Sequence, residues 1–322
     1  MQLRAVDLTK FVMAMAVVVI HARAVCGINQ HDWIHFALGC AVPFFFVTTG
    51  FLLARHSIAP DNENRRADQL LAKSRQFIRL YIVWLAVYIP AAIYHYYTND
   101  YTVRDAAVDY LRGVIFYGES PYAWPLWYVF SVAVSLCALA FFRRRRWPLW
   151  PIVALAIVAA LLEWLVYAPF SPAASGHHLP RFLFNAAKLL LWRPFYALGF
   201  LLTAAIAYRQ RDKLRLLHGI LLLALSAAMH YFYLPLWQHA AGMAVFVIAL
   251  RTPLPDHPIW LRLRRLSTGV YFLHMYAIVV LLIAFPGLFT SDNLPAALAT
   301  TLPLTLLLAA AYTRFKSHRR HN

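Results

Sequence analysis

Long apolar runs, separated by short polar stretches, recur from one end of the chain to the other. Each run covers about 18–22 residues, the length that an α-helix needs to cross a lipid bilayer. The pattern predicts ten membrane-spanning helices, at about 8–28, 33–54, 76–97, 124–142, 148–168, 186–208, 214–232, 235–251, 266–285 and 295–314. The predicted fold class is therefore all-α: a polytopic membrane protein whose residues 1–322 form a single domain.

The composition agrees with this prediction. Hydrophobic residues make up 62% of the chain and charged residues only 13%, whereas soluble domains carry about 25% charged residues. We therefore expect a multi-pass protein of the cell membrane, which would be the inner membrane in a Gram-negative source.

The basic residues alternate between the predicted loops. Of the 30 Lys and Arg, 24 fall at one set of alternate loops and the chain ends, and the remaining six fall on the other side. Cytoplasmic loops of membrane proteins carry such an excess, so both termini are predicted to be cytoplasmic. The net charge of +17 then reflects membrane topology and contacts with anionic lipid head groups, and we expect no nucleic-acid partner.

The first predicted span carries three ionisable side chains on one stripe, Asp7, Lys10 and His21. Lys10 and His21 are close to three helical turns apart, about 16 Å along the axis. Ionisable groups inside a membrane are costly, so they normally face the protein interior and serve a function. The alternative is that Lys10 extends to the interface and that His21 is a packing residue.

The polar stretch 98–123 places carboxylates among aromatic residues. Its VRDAAVDYLRGVIF segment has helical spacing and is predicted to be a short amphipathic helix that packs against the spans. A second interpretation is a lid that faces a sugar, since carboxylates accept hydroxyl hydrogen bonds and aromatic rings pack on sugar faces.

A metal site is not expected. The three cysteines are scattered, and the adjacent His177 and His178 are interpreted as solvated, because a metal site needs more ligands held together.

Several segments of the chain match one family in order and register. The first is RAVDLTKFVMAMAVVVIHA, in which an Arg-x-x-Asp leads to a basic residue, ten intervening residues and a histidine. VPFFFVTTGFLLAR, RQFIRLYIVW, PLWYVFSVAVSL, RPFYALGFLL and STGVYFLHMY follow. Together these segments resemble the acyltransferase-3 family of integral membrane acyltransferases. Ile82 stands where that family usually has proline, and no appended hydrolase-like domain follows the last span, so the chain resembles the stand-alone form.

The resemblance implies acyl transfer across the membrane. Members take an acyl group, usually acetyl, from cytoplasmic acyl-coenzyme A and place it on a hydroxyl of an envelope glycan or related acceptor, such as a lipid-linked sugar. The expected co-substrate is acetyl-coenzyme A. The identity of the acceptor, the acyl chain length and the oligomeric state are left open.

The resemblance also assigns roles to individual residues. His21 is expected to be the general base, or alternatively a transient acyl carrier, since imidazole suits both roles near neutral pH. Arginine suits phosphate recognition, although membrane topology alone also explains arginines at the cytoplasmic edge of the membrane. The expected site residues are catalytic His21, Lys10 and Asp7; coenzyme-binding Arg75, Arg79 and Arg4; and substrate-contacting, orienting or packing His274, Tyr128, Trp127 and Ser267. For His274, a role as a second base is a further alternative.

Two other functions fit the same pattern. A secondary transporter of a small anion or sugar would also place Lys and His within its spans, although no pair of related halves with interrupted helices is visible. A membrane scaffold would have no need of Lys10 and His21 on one stripe.

Overall fold

A computed structural model describes residues 3–28, 33–57, 63–148, 150–167 and 178–318 of the chain. Within these residues the fold is helical throughout and contains no β-strand, which confirms the predicted all-α class. His177 lies outside the described residues.

The described helices are, in chain order, α1 Arg4–Val25, α2 Trp33–Gly39, α3 Ala41–Ser57, α4 Glu63–Thr98, α5 Val103–Arg112, α6 Leu126–Arg144, α7 Trp150–Tyr167, α8 His178–Ala187, α9 Arg193–Phe195, α10 Ala197–Arg209, α11 Leu216–Tyr231, α12 Trp237–Arg251, α13 Ile259–Ala284 and α14 Leu294–His318. Two π-helical segments, Gly113–Tyr117 and Lys188–Trp192, follow α5 and α8 directly.

Each of the ten predicted spans coincides with a helical segment. Among the described residues, seven segments are long and apolar enough to cross a membrane: Arg4–Val25, Trp33–Ala54, Asn64–Thr98, Leu126–Arg144, Leu183–Arg209, Ile259–Ala284 and Leu294–His318. Trp150–Leu165 and Leu216–Tyr231 are shorter apolar helices, and Trp237–Arg251 is a helix of 15 residues. The chain is therefore a multi-pass membrane protein, while the number ten for the crossings stays a prediction.

The predicted amphipathic helix is also present. Thr102 directly precedes α5 and caps it, since its hydroxyl accepts a hydrogen bond from the backbone N–H of Asp105 at 3.2 Å. Such a cap satisfies one of the backbone donors that the first helical turn leaves unpaired. The helix continues into the π-helical segment Gly113–Tyr117, and π-helical turns are frequent at functional sites.

The described residues divide into two compact units. Unit 1 comprises Met1–Phe45, Arg215–Leu223 and Ala241–Asn322, and unit 2 comprises Phe46–Leu214 and Ala224–Ala240. The prediction of a single domain stays a prediction.

Unit 1 is organised around α1, α13 and α14, which pack against one another. Their contact contains the buried residues Ala14, Val18, Val270 and Ala309. Gly269 allows α13 and α14 to approach closely, because a Cβ at this position would lie 2.9 Å from both the Cα and the Cβ of Ala309. Small residues are what membrane helices use to pack tightly.

Helices α1 and α13 run in the same direction. Asp7 and Arg264 meet near the beginning of both helices, and His21 and His274 meet further along both. Ten alternating spans place the first and the ninth in the same direction, so these two contacts agree with the predicted topology.

Unit 2 is built on the long packing of α4 against α6. The hydroxyl of Ser74 on α4 is buried there and donates a hydrogen bond to the carbonyl oxygen of Ala133 on α6 at 2.7 Å. Phe46 contacts the rings of Trp127, Tyr196 and Phe200. Hydrogen-bonded polar groups and interlocking rings therefore hold this unit together.

Candidate active site

The two histidines of interest lie side by side in unit 1. The rings of His21 on α1 and His274 on α13 stack, with centroids 5.2 Å apart and planes 21° from parallel. Val18 and Val270, about one turn earlier on the same helices, belong to the packed contact between them. The parallel course of α1 and α13 therefore brings together two imidazoles that are far apart in the sequence.

His274 has one ring nitrogen in use and one that is unused. Its Nδ1 lies 3.0 Å from the carbonyl oxygen of Val270, and since a carbonyl only accepts, Nδ1–H is the donor. A neutral imidazole then carries its lone pair on Nε2. That atom is buried and has no hydrogen-bond partner among the described residues. Such atoms are rare in proteins, and each calls for an explanation; a proton-accepting role is one.

Asp7 connects two cations at the beginning of α1. Its carboxylate lies 3.9 Å from Nζ of Lys10 and 3.7 Å from Nη1 of Arg264. The side chains of Lys10 and Asp7 are only 18% and 14% exposed, so Lys10 is not a freely solvated surface residue. One carboxylate shared by two cations leaves a net positive charge at this end of the helix pair.

His21 lies near the end of α1. The helix begins at Arg4 and ends at Val25, which puts His21 about 26 Å from its first residue and about 6 Å from its last. The apolar pattern predicted a span that began at residue 8 and ended at residue 28, because hydropathy does not register the charged first turn that α1 includes.

Two hydroxyls on α14 are further unused polar groups. Thr301 and Thr305 are fully buried, and neither Oγ1 has a hydrogen-bond partner among the described residues. Threonine in a helix commonly donates to the carbonyl four residues earlier, as the hydroxyl of Thr300 does to Ala296 at 2.9 Å. Pro303 lies between them and removes one backbone hydrogen bond of α14. Sequence reasoning missed this pair, although Thr-Leu-Pro-Leu-Thr within an apolar span was a signal for it.

Two cavities in unit 1 are lined by cations. One, of about 320 Å³, has Arg264, Arg265 and Lys316 in its wall and no acidic residue. The other, of about 540 Å³, has Arg4 and Arg251 in its wall. Arg4 is also held by its neighbours, since it donates to the carbonyl oxygen of Leu254 at 3.1 Å and pairs with Asp256 at 2.9 Å. Sequence reasoning counted the four other cations only as cytoplasmic charges.

The predicted coenzyme ligands Arg75 and Arg79 belong to unit 2, one turn apart on α4. Both side chains are exposed, and neither has an ion-pair or hydrogen-bond partner among the described residues. They are therefore available to an anion.

The remaining predicted residues make structural contacts. In unit 2, Trp127 packs on the rings of Phe46 and Tyr196, and the hydroxyls of Tyr128 and Thr49 lie 2.5 Å apart. In unit 1, the buried hydroxyl of Ser267 donates to the carbonyl oxygen of Arg264 at 2.8 Å. Their part in substrate contact stays a prediction.

A buried polar cluster in unit 2 was not foreseen. The guanidinium of Arg193 lies over the rings of Trp127 and Trp192, at 4.1 and 4.3 Å from their centroids. The indole N–H of Trp192 donates to the buried carboxylate of Glu163. A glutamate within an apolar span, about one turn from its end, was the sequence signal for this cluster.

Within the described residues, no three His, Cys, Asp or Glu side chains converge as metal ligands.

Comparison with known proteins identifies the family. A family model described as acyltransferase domain, acyltransferase-3, matches residues 3–314. No curated protein and no solved structure matches the chain.

Proposed function

The chain belongs to the acyltransferase-3 family and is a multi-pass membrane acyltransferase, and from that premise we propose that it moves an acetyl group from cytoplasmic acetyl-coenzyme A to a hydroxyl of an envelope glycan or lipid-linked sugar on the outer side of the membrane. The membrane would be the cytoplasmic membrane of a bacterium, which is the inner membrane in a Gram-negative source.

The stacked histidines are the observation that carries this proposal. Attack of an alcohol on a thioester needs a base to accept the hydroxyl proton, and imidazole suits this role near neutral pH. His21 and His274 stack in unit 1, and the unused Nε2 of His274 supplies a lone pair in a buried environment. A fully buried imidazole stacked on a half-buried one supplies ring nitrogens suited to acid–base chemistry.

In the proposed reaction, the proton transfer and the acyl transfer are coupled. His21 accepts the proton from the acceptor hydroxyl while the oxygen attacks the thioester carbonyl. The new C–O bond forms, the C–S bond breaks, and the proton passes from His21 to the departing thiolate of the coenzyme. The hydroxyls of Thr301 and Thr305 would donate hydrogen bonds to the oxygen on which negative charge develops. His274 would act as the second base or orient His21.

The coenzyme carries several phosphate charges, so its site should be cationic. Two sets of cations fit: exposed Arg75 and Arg79 in unit 2, and Arg264, Arg265 and Lys316 around the 320 Å³ cavity in unit 1. Arg264 also pairs with Asp7, which couples that cavity to Lys10. Arg79→Gln and Arg264→Gln separate the two sets, because only the set that holds phosphate should raise the KM for acetyl-coenzyme A, by about tenfold for a lost charged hydrogen bond.

The proposal is tested with the purified full-length protein in detergent and acetyl-labelled coenzyme. The expected result is coenzyme release that His21→Ala abolishes and that His257→Ala leaves unchanged, His257 being an exposed histidine of the same unit. Intact-mass analysis after one turnover without acceptor distinguishes a base from an acyl carrier, since only a carrier gains the mass of an acetyl group. Substrate flux through proteoliposomes without coenzyme release would instead support a transporter.

The acceptor is sought in cells. Mass analysis of the envelope glycans with and without the gene should show one acetyl group that is lost in its absence and restored by the wild-type gene. Restoration by the His21→Ala gene would contradict the proposed catalysis.

A further inference from the structure

Unit 2 contains a cavity of about 330 Å³ beside the end of α4, α5 and the Gly113–Trp124 segment. Its volume is at the lower end of the range of about 300–1,000 Å³ that is typical of small-molecule sites. The charge distribution of the loops predicts that this segment lies on the outer side. Its wall contains carboxylates, a hydroxyl and aromatic rings, among them Glu119, Ser120, Tyr122 and Trp124.

The wall of this cavity is rigidly built. Gly118 has a left-handed backbone with φ of 72°, and a Cβ there would lie 2.5 Å from the ring of Phe130. The hydroxyl of Tyr81 donates to the carbonyl oxygen of Val114 at 2.9 Å. Tyr122 has φ of 60°, which is unusual for a bulky residue, and strained residues of this kind cluster at functional sites.

Two polar side chains of the wall are unused. Ser120 is only 4% exposed, and its Oγ has no hydrogen-bond partner among the described residues. The carboxylate of Glu119, one residue earlier, makes no hydrogen bond with any residue that the structure describes. Asp109 differs, since it accepts from the hydroxyl of Tyr96 at 3.0 Å and pairs with Arg112. Glu119 and Ser120 can therefore form hydrogen bonds with a ligand, whereas the carboxylate of Asp109 is already bonded within the protein.

Aromatic rings complete the wall. The rings of Tyr122 and Trp124 lie 6.2 Å apart at 32°, and His95 meets Tyr122 edge-on at 5.6 Å. An apolar ring face next to acceptors for hydroxyl groups is complementary to a sugar, which has C–H faces and hydroxyl donors at its rim. The carboxylates of Glu119 and Asp109 offset the guanidiniums of Arg193 and Arg112, so no net positive charge favours an anionic ligand at this point.

We propose that this cavity binds one neutral sugar ring of the acceptor, with Glu119 and Ser120 hydrogen-bonded to its hydroxyls and the Tyr122–Trp124 pair against its face. The inference rests on the proposed function, since it names the class of molecule that receives the acyl group. It adds Glu119, Ser120, Tyr122 and Trp124 as residues that select the acceptor.

The test measures binding of simple methyl hexopyranosides, namely the glucoside, the galactoside and the N-acetylglucosaminide, to full-length protein in detergent by saturation-transfer NMR. Transfer from the wild-type protein to at least one probe is expected. Replacing a charged hydrogen bond by a neutral one in Glu119→Gln should weaken that binding about fivefold, and Ser120→Ala should weaken it about twofold to fivefold. The matched control is Asp105→Asn, an exposed acid of α5 that does not line the cavity, and it should bind as the wild type does.

The two proposals fail in different ways. Two results would overturn the sugar site and leave the acyl transfer standing. In the first, the wild-type protein releases coenzyme but transfers no saturation to any probe. In the second, the probe binds equally to the wild type and to both cavity variants. Probe binding that depends on Glu119 in a protein without coenzyme release would support the site while contradicting the proposed reaction. Gel-filtration profiles that match the wild type establish that each variant is folded.

Discussion

Two regions of the molecule bury polar side chains in opposite ways. In unit 2, two buried polar groups at α6 and α7 are paired with the segment that follows α8 and with α10: Ser131 accepts from the backbone of Ala197, and Glu163 accepts from Trp192. In unit 1, around α13 and α14, the Nε2 of His274 and the hydroxyls of Thr301 and Thr305 have no hydrogen-bond partner among the described residues. A buried polar group without a partner is unfavourable. We therefore propose that groups of the second kind serve the reaction, whereas groups of the first kind stabilise the fold.

The largest effect is expected from His21→Ala. Removing the general base should lower kcat by about a thousandfold, within the range that such catalysis contributes. The measurement is the rate of acetyl-coenzyme A consumption by purified protein. His257→Ala is the control, and near wild-type turnover in His21→Ala would remove His21 from the chemistry.

His274→Phe tests whether the unused nitrogen matters. An aromatic ring is kept while both ring nitrogens are lost, so a base or orienting role predicts a kcat lowered by about a hundredfold. A packing role predicts full activity. Phenylalanine removes the unpaired Nε2, which favours stability, and also the Nδ1–H bond to the carbonyl oxygen of Val270, which costs about 1 kcal/mol, so the net change in stability should be small. A loss well above the value of that one hydrogen bond would show that Nε2 is paired as well.

Trp192→Phe tests the paired region. The substitution leaves the buried carboxylate of Glu163 without its indole donor, and it should reduce the free energy of unfolding by about 2 kcal/mol. Turnover per folded molecule should stay the same, because the residue lies in the structural region. A loss of kcat at unchanged stability would contradict the distinction between the two regions.

Thr305→Val and Thr301→Val test the hydroxyls of α14. Each should lower kcat by about tenfold, the value of one neutral hydrogen bond made in the transition state. Thr300→Val is the matched control, since the hydroxyl of Thr300 bonds to its own helix. Equal rates in all three variants would make the unpaired hydroxyls irrelevant to the reaction.

The smallest effect is the pH dependence of sugar binding. Burial raises the pKa of Glu119 above its ordinary value of 4.5, and the guanidinium of Arg193 opposes only part of that rise. Because the ionised carboxylate is the stronger acceptor, probe binding should strengthen severalfold as the pH rises through this raised pKa. The same shift lowers the stability of the fold at higher pH. Because the folded state holds the proton of Glu119 more tightly, the contribution of this group to the free energy of unfolding is fully present below pH 4.5 and is lost as the pH rises through the raised pKa.

Other ionisable groups face Glu119 or its cavity, namely Tyr81, His95, Asp109, Arg112, Tyr117, Glu163 and Arg193. The Glu119→Gln variant separates their titration from that of Glu119. A pH profile of probe binding that is the same in this variant and in the wild type would assign the dependence to another group.

The sequence of the first span predicted much of the candidate active site. The placement of Asp7, Lys10 and His21 on one stripe follows from helical periodicity, which is a local property. The partner of Asp7 on α13 and the stacking of His274 on His21 could not be predicted, because they depend on which distant spans pack together. The same limit applies to Thr301 and Thr305: the Thr-Leu-Pro-Leu-Thr segment marks them in the sequence, but only the structure shows that Thr300 is paired and they are not.

The sequence by itself determined the class of this protein, the position of its spans and their predicted orientation. The apolar length of a span and the charge of its loops are properties of the local sequence, and the lipid bilayer selects on both directly. Only the tertiary structure decided which polar atoms remain unpaired. Pairing requires partners from helices that are remote in the chain, and the close approach at Gly269 and the parallel course of α1 and α13 bring those helices together.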